Sequence, residues 1–132
     1  MSRPVRVMTV DDQPVFRAVA HELVEATGGF DPVIEATSGE EALEAAERLR
    51  PELVLMDVQM PGMSGIETAR RLTASDASTV VVLVTSGECS DVSSAARTCG
   101  AVALVAKQNL NAAVLRGIWT IHGPVWRRAA SH

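Results

Sequence analysis

The chain has 132 residues, of which 47% are hydrophobic and 21% charged, and carries a net charge of −4. That length fits one ordinary domain, and the composition supports a packed interior and excludes a weakly hydrophobic, highly charged disordered segment. The acidic balance gives no pull toward nucleic acid, and neither a ~20-residue membrane span nor a secretory signal is legible, so a soluble, cytoplasmic protein is expected, without direct nucleic-acid or membrane contact.

Val5 to Val10 reads as a strand buried on both faces that stops at Asp11 and Asp12. Pro14 suits the first turn of a helix in which Phe16, Val19, Ala20, Leu23 and Thr27 recur at helical spacing, and Gly28-Gly29 stops it. A short strand near Pro32 to Ala36 leads through Ser38-Gly39 into a helix over Glu40 to Arg50, with Ala42, Ala45, Ala46 and Leu49 facing inward. Pro51 ends it, and Leu53 to Met56 is a third strand running straight into Asp57. Ile66, Ala69 and Leu72 mark a third helix and Thr79 to Val84 a fourth strand. Val92, Ala95, Ala96 and Cys99 predict a fourth helix with a small-residue face, and Val102 to Ala106 a fifth strand. Leu110, Ala113, Val114, Ile118 and Ile121 form a last helical stripe.

Five β-then-α units in so short a chain imply a doubly wound α/β fold, a five-stranded parallel sheet with helices on both faces, and the order 2-1-3-4-5 is the flavodoxin-like version. Ligands of such sheets sit at the carboxyl ends of the strands. Those ends carry Asp11 and Asp12, Asp57, Thr85 with Ser86, and Lys107. Three carboxylates in one pocket repel one another unless a hard cation with oxygen ligands holds them ionised, and Mg²⁺ fits, with Mn²⁺ as a substitute. Asp57 can then attack phosphorus, while the Lys107 ammonium and the Thr85 hydroxyl meet the phosphoryl oxygens. No G-x-x-x-x-G-K-[ST] loop, G-x-G-x-x-G turn or G-x-S-x-G elbow competes with that chemistry.

These residues resemble the receiver domains of bacterial two-component response regulators over residues 4 to 122. Val10-Asp11-Asp12-Gln13-Pro14, Leu55 to Gly65 around Asp57, Val84-Thr85-Ser86, and Gly100-Ala101 followed by Lys107 fall in that family's order and spacing. The run Pro14 to Arg17 looks most like receivers joined to LuxR-type DNA-binding domains. The resemblance implies Asp57 as phosphoacceptor, Asp12 as direct Mg²⁺ ligand, Asp11 acting through a metal-bound water, and the Gln59 backbone carbonyl as a further metal ligand. It implies Thr85 as the switch hydroxyl and Lys107 as the partner of the phosphoryl group. The phosphodonor would be a sensor histidine kinase, a phosphotransfer protein or a small phosphodonor. Output would pass to a protein partner through helix four, strand five and helix five, with a homodimer open. Two positions depart from the pattern: Leu104 stands where the family usually carries an aromatic residue on strand five, and Gln108 stands where many receivers have a cis proline. The first predicts a smaller rearrangement of strand five than the family norm.

The domain is expected over 1–122, with a tail over 123–132 holding Trp126, Arg127 and Arg128, which read as local packing or an interface. The chain stops soon after its last helix, so output through a second protein is expected. Plainer readings stand beside each assignment: Asp12 as a helix cap, Lys107 as a solvated lysine, Thr85 as an ordinary strand residue. Met56, Met60 and Met63 read as packing, Cys89 and Cys99 as reduced core thiols, and His21, His122 and His132 as isolated solvent-facing side chains. Two functional alternatives keep the fold: a receiver-like module that binds without phosphorylation, and the N-terminal piece of a DNA-binding regulator. A third, an aspartate-nucleophile phosphohydrolase of the haloacid-dehalogenase kind, needs D-x-D-x-[TV], whereas Asp57 is followed by Val58-Gln59.

Overall fold

The computed structural model of the protein describes residues 3–92 and 94–124. Five parallel strands, β1 (Val5–Val10), β2 (Phe30–Ala36), β3 (Leu53–Asp57), β4 (Val80–Thr85) and β5 (Ala103–Ala106), form one sheet in the order β2-β1-β3-β4-β5. Four α-helices connect and cover them: α1 (Pro14–Ala26), α2 (Gly39–Leu49), α3 (Gly65–Ser75) and α4 (Ala112–His122). The chain reverses direction across the sheet between β1 and β3, and the crevice there opens at the carboxyl ends of both.

Strand periodicity sorts the apolar side chains into two cores. Met8, Val10, Val54, Met56, Val81 and Leu83 point to one face, where Ala42 and Ala45 of α2 and Ala69 and Leu72 of α3 cover them. Val5, Val7, Leu53, Leu55, Val80, Val82 and Val84 point to the other, against Ala20 and Val24 of α1 and Leu115 and Trp119 of α4. Because β1, β3 and β4 are covered on both sides, they read as continuous apolar runs, and their bounds fall within a residue of those expected. Met56 and Met60 pack in the core as expected.

Helix starts follow local chemistry. Ser38 accepts a hydrogen bond from the Glu41 amide at 3.1 Å and Ser64 from the Glu67 amide at 3.2 Å, so both serines cap orphan donors. At α1 the N-cap is Gln13, with Pro14 in the first turn, and no side chain caps it. Asp12 is therefore no helix cap.

Several expectations fail here. The fourth helix does not form: two 3-10 turns, Cys89–Asp91 and Ser94–Arg97, take its place. Only Ala96 and Cys99 of that stripe are buried, and such small side chains contribute little apolar area, while the serines around them compete for backbone hydrogen bonds. Val19, Leu49 and Ile121, assigned to inner faces, are exposed, while Val24 fills the α1 seam. In α4 the buried positions are Leu115 and Trp119, which the predicted stripe omitted. Cys89 is an exposed thiol, and Cys99 alone is a core one. His21 is not isolated: its Nε2 lies 3.1 Å from Glu25 and its Nδ1 3.6 Å from Glu35. Trp126, Arg127, Arg128 and His132 lie outside the described residues.

Candidate metal and phosphoryl site

The sheet assembles the pocket by register. Asp11 follows β1, and its amide donates to the Ala36 carbonyl at 3.1 Å, which carries the β1–β2 ladder one residue past the strand. Asp57 ends β3 one strand over, opposite Val84 of β4. Thr85 ends β4 opposite Ala106, so the next residue along β5, Lys107, emerges beside it. The structure thus brings together Asp11, Asp12, Asp57 and Lys107 at the crevice, with Thr85 at the adjoining strand end.

Asp11, Asp12 and Asp57 each present a carboxylate oxygen within 4.8 Å of the others. Asp11 is wholly buried, Asp57 nearly so, and Asp12 exposed. One Asp11 oxygen, Oδ1, accepts the Gln13 amide at 2.8 Å. The other, Oδ2, is 2.7 Å from Lys107 Nζ, yet receives no well-directed hydrogen bond among the described residues. That contact is a charge pairing, and it leaves a buried oxygen aimed into the pocket. The donor set is all oxygen, which suits a hard divalent cation, and the orphaned Asp11 Oδ2 is the atom such a cation would relieve.

Burial, and after it the neighbouring Asp11 carboxylate, raises the Asp57 carboxyl to about 6. The Lys107 ammonium, 3.8 Å from Asp57 Oδ1, and the Gln59 backbone amide pull in the other direction. A second cation in the pocket would lower it further, by the same electrostatics. Thr85 is buried, and its Oγ1 accepts the Gly87 amide at 3.1 Å, which fixes the hydroxyl oxygen and leaves its proton to donate.

Three further residues support the site. Phe16, read only as core, places its ring centroid 4.5 Å from Lys107 Nζ. Arg17 donates to the Asp11 backbone carbonyl at 2.8 Å and lies 3.5 Å from Glu35. Gly65 starts α3 against the Asp57 carbonyl, where a Cβ would collide. Phe16 and Lys107 lie far apart in sequence, and Arg17, though only six residues from Asp11, reaches a backbone carbonyl, so neither contact leaves a residue pattern.

A 2-1-3-4-5 parallel sheet with an oxygen-donor cluster and a lysine at its switch point defines a class: doubly wound domains built to hold a hard cation and an anionic group. Residues 7–117 match the family described as response regulator receiver domain, and the chain belongs to that family. Among curated proteins, protein-glutamate methylesterase/protein-glutamine glutaminase 4 of Myxococcus xanthus is 42% identical over 105 residues, covering 79% of this chain and 30% of that protein. Response regulator GacA of Pseudomonas viridiflava is 42% identical over 81 residues, covering 61% of this chain and 38% of that protein. The chain spans about a third of the length of these relatives. A LuxR-family response regulator from Aurantimonas sp. SI85-9A1 matches with a TM-score of 0.80 at 28% identity, covering 96% of this chain and 94% of that one. The signal receiver domain of NarL from Mycobacterium tuberculosis matches with a TM-score of 0.79 at 29% identity, covering 89% and 98%. The chain is a response-regulator receiver domain of the two-component kind, with the doubly wound fold and strand order expected of it.

Proposed function

We propose that this receiver accepts a phosphoryl group on Asp57 and relays the resulting change of surface to a protein partner. One observation carries the reading: Lys107 Nζ stands 2.7 Å from Asp11 and 3.8 Å from Asp57 inside a cluster of three carboxylates at the switch point. Asp11, Asp12 and Asp57, with the Gln59 backbone carbonyl, are the groups that would hold Mg²⁺ or a substituting Mn²⁺, which supplies charge neutralisation for phosphoryl oxygens.

The ionised Asp57 carboxylate forms the new O–P bond as the N–P bond of a phosphohistidine breaks, and the departing imidazole keeps the electron pair. Lys107 exchanges its pairing with Asp11 for a phosphoryl oxygen. The Thr85 hydroxyl donates to another, which biases the loops after β4 and β5 toward one arrangement. Water attacking phosphorus breaks the Asp57 O–P bond, releases inorganic phosphate and returns Asp57 to its carboxylate. The donor is a sensor histidine kinase or a phosphotransfer protein, and the setting is cytoplasmic. Residues 1–122 act as the receiver, with 123–132 as its tail. The output face is the segment Cys89–Arg97 with β5 and α4, offered to a partner or to a second copy. No described helix is long and apolar enough to cross a membrane.

The test is phosphoryl incorporation, read by intact mass, from acetyl phosphate and in parallel from a kinase, with and without Mg²⁺. One phosphoryl group on the wild type with Mg²⁺, and none on Asp57→Asn, is the expected result. A folded, Mg²⁺-loaded wild type that accepts nothing from either donor overturns the proposal in favour of a module that binds without phosphorylation.

A further inference from the structure

We propose that Phe16 is the positioning residue of Lys107: its ring holds the ammonium beside Asp57 when the pocket carboxylates are engaged by a metal ion. This rests on the phosphoryl-pairing role given to Lys107 above.

Lys107 Nζ touches three groups: Asp11 Oδ2 at 2.7 Å, Asp57 Oδ1 at 3.8 Å and the Phe16 ring, 4.5 Å to its centroid. The first two are carboxylates that a divalent cation would claim. A doubly charged ion drawn to the same oxygens repels an ammonium strongly at such distances. The carboxylate contacts that hold Lys107 are therefore weakened in the loaded pocket. The ring contact is not: its face attracts a cation within about 6 Å of the centroid, it carries no net charge, it does not titrate, and it offers the metal no competing ligand.

The ring is itself well placed to do this. Phe16 lies in the first turn of α1, behind Pro14, and packs against the core that contains Val84 and Leu115. Its neighbour Arg17 ties that turn to the Asp11 carbonyl at 2.8 Å. Ring and acidic pair therefore belong to one braced unit, across the crevice from the β5 end that carries the lysine.

Lys107 is the single lysine of the chain, so selective lysine labelling gives one ε-methylene signal for NMR. In the wild type that signal is expected to be shifted upfield by the ring, and to stay shifted when Mg²⁺ is added. Phe16→Tyr keeps the shift and Phe16→Leu, which retains the apolar volume, loses it. The phosphoryl-transfer rate of Phe16→Leu falls on the order of three- to tenfold, the range expected for losing a partly desolvated cation–π contact. Phe16→Tyr restores the rate, and in a Lys107→Ala background Phe16→Leu has no further effect. An unshifted lysine signal, or a wild-type transfer rate in Phe16→Leu, overturns the assignment. Should the wild type accept no phosphoryl group at all, the function proposed above fails, and the lysine signal alone decides the role of Phe16.

Discussion

Asp57 is held in its pocket against its own charge. With its carboxyl raised to about 6 in the folded chain, the folded state of the metal-free protein binds the proton more tightly than the unfolded state does. The corresponding stability is complete below the ordinary carboxylate value near 4 and is lost as pH rises through about 6. Metal-free wild type is therefore expected to lose stability relative to Asp57→Asn between pH 4 and 7. The upper limit is about 3 kcal/mol, reduced to ~1–2 kcal/mol by solvent at the pocket mouth. Urea melts of both proteins in EDTA across that window check it, and parallel pH profiles for the two would contradict it. Adding Mg²⁺ at pH 7 should reverse the order, because the ion binds the ionised site of the wild type.

Elements of this chain differ in how firmly their neighbours define them. The start of α3 is set by Gly65, whose amide donates to the Val58 carbonyl at 3.0 Å and whose missing side chain lets the helix approach the Asp57 carbonyl. Gly65→Ala forces backbone against backbone, so a loss of about 3 kcal/mol is expected, with phosphoryl acceptance falling too. Gly28→Ala, where an added Cβ meets nothing within 4 Å, is the control that should leave both unchanged. A Gly65→Ala protein that melts and accepts like the wild type would show that α3 can retreat from Asp57 at no cost. The segment Cys89–Arg97 is the opposite case. Val92 packs only partly buried against the core, and the segment stays as two 3-10 turns while α1, α2, α3 and α4 form on Ala20 and Val24, Ala42 and Ala45, Ala69 and Leu72, and Leu115 and Trp119.

Across the whole molecule, a change raised by the proposed phosphorylation of Asp57 would leave through the ends of β4 and β5. Thr85 and Lys107 sit at those ends, and Leu104, two residues inside β5 from Ala106, is partly buried against the core that includes Leu83 and Ala96. A branched aliphatic side chain already seated in a close-packed face has no ring to swing between an outward and an inward position. On adding a phosphoryl mimic with Mg²⁺, backbone amide shifts are expected to change most at 85–88 and 106–109 and little at 103–105. A large change at Leu104 would contradict this. The described peptide bonds are all trans, so the turn after Lys107 proceeds through Gln108 as a 3-10 turn, Lys107–Asn109.

The strands and the polar residues at their carboxyl ends are legible in the residue order. Buried parallel strands must be apolar on both faces, and polar residues at their carboxyl ends stand out against those runs. Asp11, Asp12, Asp57, Thr85 and Lys107 were all legible for that reason. Which side of a helix meets the sheet was set by packing, as Val24, Leu115 and Trp119 show, since several apolar stripes on one short helix satisfy the same period. Packing likewise placed the Phe16 ring over Lys107 and Arg17 on the Asp11 carbonyl: the first contact joins α1 to the end of β5, and the second depends on how the Arg17 side chain folds back over the start of α1.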